Sequence, residues 1–359
     1  MRNITLLSIM LFMMLLVGCS TQPNEGAQSN TEENTTTTEQ TETKIDSNTE
    51  EAAEDKGKTQ YPLTIDNYLT TDGFTYETHT QTFEASPEKI VANTQGMAEI
   101  LVHLGLTDKI VGVAALYGET DAEITEEFNK IPVITEGYAS KELVVGQDPD
   151  IIMGRAGLFQ DAEWGVGTIS SLNDLGIKTF VQHTSLTGGT LDSLYKDIED
   201  IGLIFNVQDS ADVYINKLKE QQAALEEKAS EKPLTYAYVY NAGDGKIAPD
   251  AGGAYTFIAD TLEKLNLTNA LADIEGTVSV EQLVEKNPDI FLLSNYAGGP
   301  DPETTMESFY NDEALQSINA IKNKAIIVID FNQFFGYGPN ILDGAGKLAD
   351  DIASNSSLK

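Results

Sequence analysis

From about residue 88 the chain alternates short runs of β-prone apolar residues with longer stretches whose apolar positions recur at helical spacing. That alternation predicts βαβ units around a mainly parallel sheet. Lys89-Ile90-Val91-Ala92 reads as a strand, and GMAEILVHL over 96–104 as the helix behind it. KIVGV (109–113), DIIM (150–153) and IKTFV (177–181) supply further strands, with helices near 121–129, 141–147 and 166–175 between them. Ahead of these, residues 61–85 alternate polar and apolar positions around Asp72-Gly73, which predicts a hairpin.

Residues 209–229 contain no Gly or Pro, place apolar side chains at Val213, Leu218 and Leu225, and are rich in strong helix formers. At about 1.5 Å per residue they predict a helix of roughly 30 Å. Lys232-Pro233 ends it, and the alternation restarts: strand 235–240, helix 254–266, strands 290–294 and 325–330, helix 340–354. The expected fold is α/β, with two Rossmann-like lobes joined by a single long helix and a ligand cleft between them. The boundaries are 59–208 for the first lobe, 209–230 for the helix and 231–359 for the second lobe. An internal echo agrees with two lobes. SKELVVGQDPDI (140–151) aligns without gaps on SVEQLVEKNPDI (279–290), and six of twelve positions are identical, among them Ser140/Ser279, Glu142/Glu281 and Asp150/Asp289. In each copy Ser suits an N-cap, Glu the first helical turn, and Pro-Asp the entry to a buried strand.

The N-terminus has a different pattern. ITLLSIMLFMMLLV (4–17) behind a basic start has the length of a signal-peptide apolar region and is short for a membrane span. It ends in Leu16-Val17-Gly18-Cys19, which resembles the bacterial lipobox, with Cys19 as the lipidated first residue of the mature protein. Residues 1–18 are therefore expected to be a lipoprotein signal peptide. Residues 19–58 are expected to be the lipidated Cys and an acidic, Thr-rich disordered tether: after Cys19 they carry ten acidic residues against three lysines, nine threonines and no aromatic residue. A tether of that length spans roughly 35 Å on average.

Charge narrows the classes further. The chain has 57 acidic and 22 basic residues, a net charge of −35, and a surface so negative repels nucleic-acid phosphates. Only Arg2 and Arg155 are arginine. One cysteine excludes an internal disulfide framework, a four-thiolate zinc site and an iron–sulfur cluster. The three histidines, at 79, 103 and 183, form no cluster in the sequence. An enzyme needs a nucleophile–base pair or a metal cluster, and the chain has no G-x-S-x-G, H-E-x-x-H or P-loop. GDGKIAPDAGG (243–253) opens with G-x-G-x-x-A spelling, but Pro249 and further Gly follow, so it reads as a loop. A surface adhesin would share the anchor and tether without needing a cleft.

Tyr61-Pro62-Leu63-Thr64-Ile65, Pro87-Glu88-Lys89-Ile90-Val91-Ala92, Glu99-Ile100-Leu101, Leu104-Gly105-Leu106 and Lys109-Ile110-Val111-Gly112-Val113 together resemble the opening of a known family. It is that of the substrate-binding lipoproteins serving ABC importers of iron–siderophores, haem and cobalamin. Tyr240-Asn241, Val278-Ser279-Val280-Glu281, Asn287-Pro288-Asp289 and Ala320-Ile321-Lys322-Asn323 fit the same family, so the resemblance covers 59–356. It implies a monomer on the outer face of the cytoplasmic membrane with no resident cofactor and no metal held directly by the protein. Its implied partners are a ferric siderophore or related chelate and the ABC permease and ATPase. The positions matching the family's permease-docking carboxylates are Glu142 and Glu281, each able to pair bidentately with a guanidinium.

The ligand is expected at the carboxyl ends of the strands. In the first lobe the candidates are Asn93, Thr94, Gln95, Tyr117, Tyr138, Arg155, Trp164 and His183. In the second they are Tyr240, Asn241, Tyr255, Asn295, Tyr296, Phe334, Phe335 and Tyr337. Arg155, the only arginine after the signal segment, suits the oxygens of an iron-chelating group, or else pairs with an acidic neighbour. Tyr138 faces the cleft or lies exposed in its loop, Trp164 stacks on a ligand or packs its loop, and His183 is a haem ligand or a hydrogen-bonded structural group. FFGY (334–337), flanked by Gly336 and Gly338, reads as a mobile exposed cleft loop. A body this acidic with one arginine suits a ferric hydroxamate better than a multiply anionic catecholate, with cobalamin next and haem third.

Overall fold

The computed structural model describes residues 57–69 and 75–359. The segment expected to be a signal peptide, Cys19, nearly all of the expected tether and the expected Asp72-Gly73 turn lie outside the described residues. Strands β1 (Leu63–Leu69) and β2 (Glu77–Phe83) pair antiparallel, with Leu63 opposite Phe83. The buried Asn67 fastens this hairpin to the first lobe: its Nδ2 donates to Thr179 O at 2.9 Å and its Oδ1 accepts from Val181 N at 3.1 Å.

The first lobe is a parallel sheet of β3 (Ile90–Ala92), β4 (Ile110–Val113), β5 (Ile151–Gly154) and β6 (Lys178–Val181), in the order β4-β3-β5-β6. Nearly every side chain of β3 and β5 is buried, as in a sheet covered on both faces. Helix α1 (Gln95–His103) starts at Thr94, whose hydroxyl accepts from Met97 N, and it buries Met97, Ile100 and Leu101. Three short helices follow, α2 (Thr125–Phe128), α3 (Lys141–Val145) and α4 (Ile169–Asn173). Helix α5 (Leu191–Phe205) opens with a Thr190/Ser193 capping box and ends at the left-handed Asn206. Helix α6 (Gln208–Glu226) leads to the second lobe.

There the strands are β7 (Leu234–Asn241), β8 (Ile247–Asp250), β9 (Leu267–Asn269), β10 (Ile290–Asn295) and β11 (Ile326–Asp330). The order is β11-β10-β7-β8, and β9 pairs the start of β7. The helices are α7 (Thr256–Glu263), α8 (Val280–Lys286), α9 (Pro302–Asn311), α10 (Asn319–Lys322), α11 (Phe331–Phe335) and α12 (Ile341–Ser354). The Gly-rich stretch read from sequence as a loop is instead a hairpin, because β8 pairs antiparallel with the end of β7. Gly243, Asp244 and Gly245 turn it with φ of 105°, 51° and 70°. Pro249, which lacks an N–H, is tolerated because β8 is an edge strand.

The sequence echo has a structural cause at its Asp pair. Asp150 Oδ2 accepts from Glu88 N at 2.8 Å and Lys89 N at 2.9 Å, and Asp289 Oδ2 accepts from Thr235 N at 3.0 Å. Each aspartate thus receives backbone N–H groups where the neighbouring strand begins. Ser279 caps α8 with a capping box to Gln282, whereas Ser140 occupies the same place before α3 without a hydroxyl bond to the helix backbone.

One buried hydrophobic cluster runs through both lobes, including Met97 and Leu101 on one side and Phe334, Tyr337 and Ile341 on the other. At the seam Gly96 meets Gly336 so closely that a Cβ on Gly96 would lie 2.5 Å from Gly336 O. Gly118 is equally tight, its Cβ position being 2.4 Å from Asp330 Oδ1. Among the described residues no helix is long and apolar enough to cross a membrane.

Candidate functional site

Loops at the carboxyl ends of β3, β4, β5 and β6 meet those after β8, β10 and β11, and aromatic rings link them. Trp164 tilts against Tyr138 at 6.3 Å between centroids, Tyr138 meets Tyr117 edge-on at 5.1 Å, and Tyr117 meets Phe331 at 5.5 Å. The line continues through Phe331–Phe335 at 5.2 Å, Phe335–Tyr255 at 5.3 Å and Tyr255–Tyr238 at 5.5 Å, while Tyr296 joins Phe331 from the side at 6.2 Å. Most contacts are edge-to-face, the arrangement that ring quadrupoles favour. The belt therefore begins in the first lobe and ends in the second.

Arg155 lies against this belt. Its Cζ stands 5.0 Å from the Tyr337 ring centroid, and its Nη1 donates to Tyr138 Oη at 3.4 Å. Among the described residues no carboxylate forms an ion pair with it. Asp250, beside the belt, already accepts from Tyr255 Oη at 2.8 Å. A guanidinium facing rings and phenols keeps its charge free for an oxygen-rich guest.

Asn93 sets the position of Arg155. It is buried, its Oδ1 accepts from Arg155 N at 2.8 Å, and its Nδ2 donates to Arg155 O at 3.3 Å. Gly154 is required beside it: φ is +137°, and a Cβ would lie 2.0 Å from Asn93 Oδ1. Tyr337 is positioned from the other lobe's side, with a left-handed φ of 55°. Its carbonyl accepts from Thr184 Oγ1 at 2.8 Å and Gln182 Nε2 at 3.4 Å. Burial pushes the Tyr337 phenol up, against the pull of the Arg155 charge. The Tyr255 and Tyr238 phenols are also raised, chiefly by burial, so these three side chains are phenols rather than phenolates at neutral pH.

The remaining candidates divide. Thr94 is the cap of α1, and Gln95 is buried at the seam, donating to Glu99, Gly118 O and Thr120. His183 is hydrogen-bonded: its Nδ1 lies 2.5 Å from the buried Asp197 Oδ1, with its ring packed edge-on against Tyr68. Burial pushes this imidazole down, yet the Asp197 hydrogen bond and charge prevail and its net shift is upward. Asn241 is engaged by Thr305 and by the turn at Gly243. Tyr240 and Asn295 are exposed at the ends of β7 and β10 and join no ring contact of the belt.

The expectation of a mobile exposed loop at 334–337 is corrected. Residues 331–335 form α11, and Phe334 and Tyr337 are buried in the cluster shared by the lobes. The glycine that suggested mobility, Gly336, serves the close approach to Gly96 instead. Phe331 and Tyr238 belong to the belt although sequence reasoning passed over them. Phe331 directly follows strand β11, so the strand-end rule had a signal for it; Tyr238 sits inside β7, where only the observed ring contacts reveal it.

Glu142 and Glu281 are both exposed in the first turns of α3 and α8. Their own backbone N–H groups and the hydroxyls of Ser140 and Ser279 hold both carboxyls below the usual range.

A sequence profile described as periplasmic binding protein matches residues 90–333, more than half of the chain, and the chain belongs to that family. It is 25% identical over 307 residues to the ABC transporter substrate-binding lipoprotein YvrC of Bacillus subtilis (strain 168), covering 83% of this chain and 88% of that one. It is 24% identical over 282 residues to a cobalamin-binding protein of Halobacterium salinarum, covering 75% and 70% respectively. The crystal structure of an ABC-type Fe3+-hydroxamate transport system from Saccharomonospora viridis DSM 43017 superposes with a TM-score of 0.63 at 25% identity, covering 82% of this chain and 100% of that one.

Proposed function

We propose that this chain is an extracytoplasmic solute-binding lipoprotein that captures a ferric siderophore of the hydroxamate class between its lobes and delivers it to an ABC importer. A lipid on Cys19 holds it to the outer face of the cytoplasmic membrane, and residues 19–58 are the tether. Residues 59–208 and 231–359 are the lobes, with 209–230 the connecting segment. Glu142 and Glu281 dock onto arginines of the permease, whose ATPase powers import. The chain holds its solute without transforming it.

The observation that carries the ligand reading is Arg155, a cation bonded to Tyr138 and stacked on Tyr337 with no carboxylate of the described residues paired to it. One cation in an aromatic belt suits a chelate of low net charge with oxygen donors on its rim. The Fe3+-hydroxamate relative supports the same class. Cobalamin is the second reading, favoured by the Halobacterium salinarum relative and by the width of apolar surface the belt offers. Haem stands third, because His183 is already engaged by Asp197. The test is uptake of a ferric hydroxamate by cells with and without the chain. Loss on deletion and recovery on complementation are expected; uptake indifferent to the chain overturns the reading.

A further inference from the structure

Glu99 on α1 is fully buried at the seam between the lobes. Four N–H donors converge on its two oxygens. Gln95 Nε2 reaches Oε1 at 3.1 Å, Asp121 N reaches Oε1 at 3.4 Å, Asn332 Nδ2 reaches the two oxygens at 3.1 and 3.2 Å, and Asn340 Nδ2 reaches Oε2 at 2.5 Å. Asn332 and Asn340 belong to the second lobe, on α11 and at the start of α12, and both are buried. This one carboxyl therefore ties α1 to two helices of the opposite lobe, beside the Gly96–Gly336 approach.

Among the described residues, the groups facing it supply no compensating cation. Asp121, in the loop between β4 and α2, adds like charge; His103, one turn further along α1, is paired to that aspartate at 2.7 Å and stacked on Tyr214 of α6. Lys217 of α6 is paired to Glu123. On the second-lobe side Asp330 caps α11 and Asp343 lies in the first turn of α12. Burying an unpaired carboxylate is costly. The neutral acid needs an acceptor for its O–H, and one is adjacent: the buried Gln95 Oε1 has no hydrogen-bond partner among the described residues. Turning the Gln95 amide over presents that oxygen to Glu99, at the cost of the Nε2 bonds to Gly118 O and Thr120.

We propose that Glu99 is a proton-operated fastener between the lobes, closed when the carboxyl carries its proton and loosened when it ionises. The proton is held between Glu99 and Gln95 in the closed seam. On ionisation the carboxylate recovers its free energy by hydration, which requires the seam between α1 and α11 to part. Burial, opposed by the Gln95, Asn332 and Asp121 hydrogen bonds, pushes the Glu99 carboxyl up to about 8. The closed seam therefore binds more protons than the open one between an ordinary carboxyl value and about 8. Raising the pH through that range favours opening. This regulation rests on the capture reading only in that a solute sits between the lobes, and its test needs no solute.

The test is amide hydrogen exchange of residues 331–342 in the ligand-free protein at pH 6 and pH 9, corrected for intrinsic rates. Wild-type protection should fall by at least about tenfold, and Glu99→Gln, which is neutral at both pH values, should hold its protection. Asp330 and Asp343 remain in the variant and serve as its internal control. Equal pH sensitivity in both proteins, or none in wild type, overturns the proposal. Should the variant not fold, carbon-13 titration of the wild-type Glu99 carboxyl decides. A midpoint near 8 is expected, and a midpoint in the ordinary carboxylate range overturns the proposal.

Discussion

The guanidinium of Arg155 stands 5.0 Å over the ring of Tyr337, so the only arginine among the described residues is stacked on an aromatic side chain of the opposite lobe. Each partner is held by its own backbone, Arg155 through Asn93 and Tyr337 through Thr184 and Gln182. Under the proposed function, this pair is where a solute between the lobes is expected to make contact.

Arg155→Ala should weaken binding of a ferric hydroxamate by at least about tenfold, the loss of one or more charge-assisted hydrogen bonds. Arg155→Lys should recover only part of it, since an ammonium offers neither the planar fork nor the stacking face. Equilibrium titration of the three proteins checks this, with thermal unfolding to confirm that the fold is kept.

Much of the architecture is legible along the chain because a buried parallel strand announces itself as an unbroken apolar run, as in Ile151-Ile152-Met153. The β8 hairpin is hidden because Pro249 and the glycines speak against a strand until its edge position is known. Helix α5 displays an apolar repeat at Leu191, Leu194, Tyr195, Ile198 and Ile201, yet stays unassigned from sequence. The site is less legible. Arg155 stands out by rarity, but Phe331 becomes a site residue only through ring contacts to Tyr117 in the other lobe, and nothing in the sequence marks Glu99 as a tie between lobes until Asn332 and Asn340 are brought onto it. Such relationships join residues more than 200 positions apart.

Gly96→Ala should destabilise the protein by roughly 2 kcal/mol or more, because the new methyl meets a backbone carbonyl that cannot rotate away. Chemical denaturation measures it. Gly105→Ala, a position with open space but φ of +76°, should cost only about 1 kcal/mol from backbone strain.

His183 contributes a pH-dependent stability. Its folded pKa is raised above the ordinary 6.5. The contribution of its charged form is therefore fully present below 6.5 and is lost as pH rises through the folded value. His183→Ala should accordingly cost more stability at pH 5.5 than at pH 8.5, by roughly 1 kcal/mol. Ligand affinity should be nearly unchanged, in contrast with Arg155→Ala; a large affinity loss instead places the imidazole on the ligand.

Glu142→Ala combined with Glu281→Ala should abolish uptake while leaving solute affinity within about twofold, because both carboxylates are exposed on helices α3 and α8. Cellular uptake and titration of the purified double variant separate the two effects. Loss of binding in the purified protein contradicts a docking role.

The most direct measurement is fluorescence titration of the full protein with a ferric hydroxamate, cobalamin and haem. The single tryptophan, Trp164, is 44% exposed and touches Tyr138 at the edge of the belt. Saturable quenching by the ferric hydroxamate, stronger than by the other two and reduced in Arg155→Ala, is the expected result. No saturable response to any of the three contradicts capture of a chelate between the lobes.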